Sequence, residues 1–371
     1  MFQNRKYLTP FVFLFTCFTC LVIFIGQLDI QPGYTQTTKV LKSSPDTVVW
    51  GYFSADVTPV LTVASGDVVR IDTVSLAGVP PGAEPVAFFE QHGFAEKDVL
   101  PEMTSVQFEE EKIPNMGPHV ITGPIYIEGA EPGDMLEVRV LDIELRTPYG
   151  TNLTRPGFGV LPDLLPEPTM RVIPFDDDKT TALFAEGINV PLDPFMGIMA
   201  VAPPKEEGMV SSVPPAKWGG NIDLKELRKG STLYLPVLAK GALFSTGDGH
   251  AAQGDGEVNL TAVEVSSTPT FQFILHKGAG TDMTGPFVET PTHYIPMGLH
   301  TDLDEALKLA VHETIDFLGR EKGLNVEDAY SLSSIGVDYE VAEAVDRTLI
   351  IHAMVPKSLF DTNRPYWADN L

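Results

Sequence analysis

The chain has 371 residues, enough for one large module or two compact ones with an ample core. Hydrophobic residues make up 43% and charged residues 20%, which excludes a disordered or fibrous protein. The 50 Asp and Glu against 25 Lys and Arg give a formal charge of −25, which excludes nucleic acid as a partner and a basic patch for anionic lipid, since both need clustered cations.

Arg5 and Lys6 precede an apolar run from Tyr7 to Gly26, so residues 1–30 read as an export signal or an uncleaved membrane anchor. The protein is therefore expected outside the cytoplasm, periplasmic or secreted, touching a membrane only through this segment if it is retained. Both cysteines, Cys17 and Cys20, lie in the run. The rest of the chain has no disulfide, thiolate metal site or cysteine nucleophile. Residues 31–46 are polar and read as a tether.

From Val48 onward, short apolar runs alternate with turns, and the 32 Gly and 31 Pro suit a β-rich fold. Three segments share one grammar, a Gly turn followed by a strand: Ser65–Ile71, Pro132–Val138 and Lys229–Leu235. Gly supplies the positive φ of the turn, and alternating residues then face a core. In the second, Leu136, Val138 and Val140 lie on one parity and Leu141, Ile143 and Leu145 on the other, which predicts a bulge near Val140. Residues 146–215, rich in Pro and Gly, read as long loops and edge strands between two β modules, 47–215 and 216–371, with Asp176-Asp177-Asp178 a solvated turn. Leu303, Leu307, Ala310, Val311, Ile315 and Leu318 form one stripe, which predicts a helix over 302–318 capped by Thr301 and ended by Gly319. A shorter helix over 326–332 and strands near 336–341 and 348–355 close the chain, so the C-terminal part is α/β.

The densest polar cluster runs from Phe244 to Glu257, with Asp248, His250, Gln253, Asp255 and Glu257 interleaved with glycines. Asp, His and Glu are hard-to-borderline metal ligands, and glycines let a backbone bend closely round a ligand. The glycine spacing does not fit a dinucleotide loop, and the carboxylate rhythm does not fit a calcium helix-loop-helix. A polar hairpin turn is the structural alternative. Upstream lie Trp218-Gly219-Gly220-Asn221-Ile222-Asp223 and the block Gly117–Ala130, which contains His119. His312-Glu313-x-x-Asp316 lacks the second His of a zincin and reads as a solvated helix face.

Gly219–Asp223, Lys229–Val237 and Gly241–Glu257, together with Gly123–Asp134, Val60–Asp67 and Ser331–Val341, resemble the acetamidase/formamidase family from about Val60 to Pro356 and in order. The resemblance implies hydrolysis of the C–N bond of short linear amides to ammonia and a carboxylate. It also implies a mainly β fold, a β-sandwich plus a β-barrel with a small α/β C-terminal part, and a homo-oligomer. The region from Pro148 to Pro215 departs from the family pattern, which leaves the acyl group open. A cysteine route, a Gly-x-Ser-x-Gly elbow and a Ser-Ser-Lys arrangement are all missing, so the water is activated by a metal or a carboxylate. The expected metal ligands are His119, Asp223, Asp248 and His250, with zinc preferred and calcium second. Asp248 and His250 also count as catalytic candidates beside Glu257, the general base or a further ligand. Asn221 and Gln253 are expected to hold the substrate amide or the developing oxyanion. The competing expectation is an exported, metal-stabilised binding protein on the same scaffold, without turnover.

Overall fold

A computed structural model describes residues 38–362 and Tyr366. The predicted signal or anchor, 1–30, lies outside the described residues, as does the tether up to 37. Among the described residues no helix is long and apolar enough to cross a membrane. The tether expected to reach residue 46 ends earlier, because Thr38–Leu41 is a strand parallel to Val68–Ile71. Its four residues match the sheet's pleat, with Leu41 buried and Thr38 and Val40 outward.

Two large sheets dominate. The first runs in the order Thr38–Leu41, Val68–Ile71, Ser267–His276, Met135–Leu145, Thr232–Pro236, Phe287–Glu289, His293–Ile295, Leu349–Pro356 and Met297–His300, with Asp338–Glu343 also paired to Leu349–Pro356. The second orders Gly219–Asn221, Phe195–Ala200, Phe244–His250, Glu264–Val265, Tyr149–Thr154 and Thr169–Pro174, and Val120–Ile127 joins it through Phe244–His250. One apolar cluster is shared between them: Val69, Val138, Phe271 and Phe273 from the first meet Ile125, Met196, Met199 and Phe244 from the second. Each sheet buries one face against the other, as in a β-sandwich. Both sheets take strands from either side of the 215/216 position, so they interlock along the sequence rather than divide there.

The three Gly turns have the expected positive φ: 95° at Gly66, 94° at Gly133 and 89° at Gly230. All three strands that follow enter the first sheet. The bulge falls at Leu141: Asp142 pairs with Thr270 and Val140 with Phe271, which leaves Leu141 without a partner and half out of the surface. The Asp176–Asp178 turn is solvated, and the Asp176 carboxylate accepts the backbone N–H of Thr180 at 2.7 Å.

Three expectations are corrected. Phe195–Ala200 is no loop or edge strand; it is buried at all six residues, between Gly219–Asn221 and Phe244–His250. Its continuous apolar run is what a strand covered on both faces needs, and the surrounding prolines obscure it. The long helix spans Leu303–Lys322 rather than 302–318. Asp302 caps it in place of Thr301, accepting N–H groups from Asp304 and Glu305, and the helix passes through Gly319 to end at Gly323, φ 69°. The shorter helix extends over Val326–Gly336. His312 is exposed on the long helix.

Candidate active site

The polar cluster folds first as a strand, not as a hairpin turn. Phe244–His250 lies between Phe195–Ala200 and Val120–Ile127. Its glycines serve close approach: a Cβ on Gly247 would stand 2.4 Å from the Val120 carbonyl oxygen, and one on Gly249 2.6 Å from that of Val265. The strand therefore carries its polar residues into the interior between tightly packed neighbours.

His250 is the hub. Its Nδ1 pairs at 2.9 Å with Oε1 of Gln253, whose Nε2 donates to the Asp223 carbonyl at 2.7 Å and the Ala342 carbonyl at 3.2 Å. Those two carbonyls fix the orientation of the amide, so Gln253 Oε1 accepts and His250 Nδ1 carries the hydrogen. Nε2 is thereby directed at Asp248 Oδ2 and Glu264 Oε1, each 3.3 Å away. Burial alone would push the His250 imidazole down, but Glu264 and Asp248 outweigh it and hold it well above the usual range. On the Nδ1 side, Asp223 Oδ1 lies 3.7 Å off. His119 approaches from the start of Val120–Ile127, with Nε2 4.0 Å from Asp248 Oδ2 and Nδ1 2.7 Å from the Ser212 hydroxyl. Burial lowers His119, with Asp248 opposing.

The carboxylates outnumber the imidazoles. Burial raises Asp223 and Glu257 well above the carboxylate range, with each other's or neighbouring acids' charge adding to it and His250 opposing. Glu264 is pushed up to about 7 by burial, and Asp248 is held below the usual range, where burial is outweighed by His119 and His250. Behind them, Asp346 accepts from Asn221 Nδ2 at 2.7 Å and is raised by burial to about 7. Glu343 accepts the Val345 and Asp346 N–H groups at 2.8 and 3.0 Å and is raised by burial and Asp346 to about 8.

His119, Asn221, Asp223, Asp248, His250, Gln253 and Glu257 are all in or against this cluster, whereas Asp255 is exposed and pairs with Lys225 at 2.6 Å. Gln253 differs in use, since both ends of its amide are spent on His250 and two backbone carbonyls; it orients the ring and has no group left for a substrate. Asn221 keeps one, a buried Oδ1 without a hydrogen-bond partner among the described residues. Sequence reasoning missed Glu264, Glu343 and Asp346. Glu264 is the cross-strand neighbour of His250, and its only signal is a lone acid inside the apolar run Ala262-Val263-Glu264-Val265. Glu343 and Asp346 sit likewise in Val341-Ala342-Glu343-Ala344-Val345-Asp346. Asp223, Asp248 and Glu257 all hold left-handed backbone, φ 45°, 54° and 46°. Such conformations cost energy in non-glycine residues and concentrate at functional sites.

The donor set suits a cation. Asp248, His250 and Glu264 offer one ligand atom each within 4.8 Å of one another, as do Asp223, His250 and Glu257. Among the described residues His250 Nε2 and Asp223 Oδ1 are buried with no hydrogen-bond partner, a costly arrangement unless a proton or a metal ion meets them.

A mainly β protein with a buried imidazole–carboxylate centre is the class that fold and site define. Residues 109–207 and 206–362 match the Acetamidase/Formamidase family, and the chain belongs to it. A formamidase of Methylophilus methylotrophus is 30% identical over 200 residues, covering 40% of this chain and 49% of that protein. An acetamidase of Mycolicibacterium smegmatis is 27% identical over 219 residues, 43% of this chain and 54% of the relative. The chain thus spans about half the length of the curated relatives it matches. The crystal structure of an acetamidase from Bacillus halodurans superposes with a TM-score of 0.70 at 28% identity, covering 87% of this chain and 98% of that one.

Proposed function

We propose that the protein hydrolyses the C–N bond of short linear amides, releasing ammonia and a carboxylate. The observation that carries this reading is the buried Asp248–His250–Glu264 cluster, set within the stretch that matches the family. Asp248, His250 and Glu264, with His119 facing them, would hold a divalent cation; the mixture of imidazole and carboxylate favours zinc, with calcium second. The chemistry such a cation supplies is polarisation of the amide carbonyl and a water whose pKa falls towards about 7.

The chain's own residues do the rest. Gln253 fixes the His250 ring through Nδ1, so that Nε2 faces Asp248 and Glu264 and would turn its lone pair to a bound cation. Glu257, whose carboxyl burial raises well above the usual range, takes the proton from the attacking water and returns it to the departing nitrogen. The free Oδ1 of Asn221 accepts an N–H of the substrate amide and orients it. Arg5, Lys6 and the apolar run after them support a place for this reaction outside the cytoplasm, on amides arriving from the surroundings.

The test is ammonia release from formamide, acetamide, propionamide and longer amides by the purified chain, before and after chelation. Chelation is expected to stop turnover and added zinc to restore it. His250→Ala is expected to lower turnover by about 10²-fold or more with an unchanged far-ultraviolet spectrum. A fully active His250→Ala variant overturns the assignment.

A further inference from the structure

We propose a second cation site, made by Glu226, Glu340 and His352, which shares no residue with the active-site cluster. His352 lies on Leu349–Pro356, directly across the ladder from Glu340 on Asp338–Glu343. Its Nε2 is 3.5 Å from Glu340 Oε2 and 3.7 Å from Glu226 Oε2. One ligand atom from each residue falls within 4.8 Å of the others.

Two observations separate this group from an ordinary polar contact. His352 is fully buried, yet among the described residues neither ring nitrogen has a hydrogen-bond partner, and Glu226 Oε2 is also buried without one. A buried imidazole and carboxylate left to themselves would close to about 2.8 Å. These groups instead stand apart at the spacing of atoms around a common centre, since ligands about 2.1 Å from a tetrahedral zinc lie about 3.4 Å from one another. The neighbouring Lys225 ammonium is paired with Asp255 at 2.6 Å; its charge reaches Glu226 and Glu340, but among the described residues it makes no hydrogen bond to either and none to His352. Glu340 is 37% exposed, which gives an ion a way in and leaves room for water as a fourth ligand. One imidazole and two carboxylates suit a borderline divalent cation such as zinc.

The site has a structural role. Glu226 follows Asp223 by three residues, and Glu340 precedes Glu343 by three. An ion there ties together the two segments that carry Asp223 and Glu343, and anchors both to the Leu349–Pro356 strand.

The test is zinc content, measured by elemental analysis on the full-length protein after equilibration with zinc and removal of the excess. It is read for the wild type, Glu340→Gln and His352→Gln. Each variant is expected to hold one equivalent less per chain than the wild type. Glu340→Gln, at a partly exposed position, keeps the test valid should His352→Gln fail to fold. Crystals grown with zinc are expected to show an anomalous peak at the zinc edge between the three side chains. Equal zinc content in wild type and Glu340→Gln, or no peak there, overturns the proposal. Neither readout depends on amide turnover, so a failure here is distinguishable from a failure of the hydrolase reading.

Discussion

Gly197 shows how much of the site depends on one absent methyl group. It lies in the middle of Phe195–Ala200, beneath the cluster, and its φ is not one that only glycine tolerates. A Cβ there would stand 2.3 Å from Asp223 Oδ1, 2.9 Å from Asp248 Oδ2 and 2.9 Å from His250 Cε1. Alanine suits the strand but collides with three site residues at once, two of them from the neighbouring strand. Displacements near 1 Å at a reacting centre cost about 10²-fold in rate. Gly197→Ala is therefore expected to fold normally and to lose about two orders of magnitude in kcat/KM for amides, with a matching loss of bound metal. Ammonia-release kinetics beside a thermal melt check this; a folded, fully active variant would show that the cluster is not where the reaction occurs. The same position marks where the sequence is silent. The glycines of Gly247-Asp248-Gly249 advertise the site, whereas Gly197 stands among apolar residues with no polar neighbour to signal its purpose.

At the scale of the element, the two ends of the long helix separate propensity from tertiary context. Gly319 looks like a stop, because glycine is the usual residue in the left-handed turn that ends about a third to a half of helices. The helix nonetheless runs one further turn through Arg320, Glu321 and Lys322 to Gly323, whose left-handed φ of 69° and N–H bonds to Leu318 and Gly319 make the true cap. Gly319→Ala is expected to stabilise the protein by about 0.5–1 kcal/mol, since a helical Cβ there meets only the Leu324 carbonyl at an ordinary 3.5 Å. Gly323→Ala is expected to destabilise it by about 1 kcal/mol. Denaturant midpoints of the two variants decide which glycine is the cap, and equal shifts would contradict the assignment. Strands were legible where a turn announced them, as at Gly66, Gly133 and Gly230. They were illegible where burial on both faces erased the alternation, as at Phe195–Ala200. The candidate site was legible as far as glycines flanked its acids. Glu264, Glu343 and Asp346 escaped because pairing across strands brings them in, and register is a property of the folded sheet.

Across the whole molecule, the acidic composition has a buried counterpart whose protonation sets stability. In the metal-free protein Glu264 and Asp346 are raised to about 7 and Glu343 to about 8, burial being the first cause in each; Glu226, also through burial, reaches about 7. Unfolded carboxyl groups titrate near about 4. Between those limits the folded chain holds protons that the unfolded chain has released. The stability these groups contribute is complete below the unfolded values and is lost as pH rises through the folded ones. His250, held high by Glu264 and Asp248 against its burial, acts in the same direction. His352, pushed by burial to about 4, acts in the opposite direction, but only below the unfolded value of about 6.5. The informative window therefore lies above pH 6.5. There the melting temperature of chelated protein is expected to fall steadily towards pH 8.5, as buried carboxylates ionise without partners. Added zinc takes the place of the departing protons, so its stabilising effect is expected to widen over the same range. Melting curves at pH 6.5, 7.5 and 8.5, with chelator and with zinc, measure both slopes. A chelated protein whose melting temperature stays level across that window would mean that these carboxylates have other partners, and would remove the electrostatic case for a cation at either cluster.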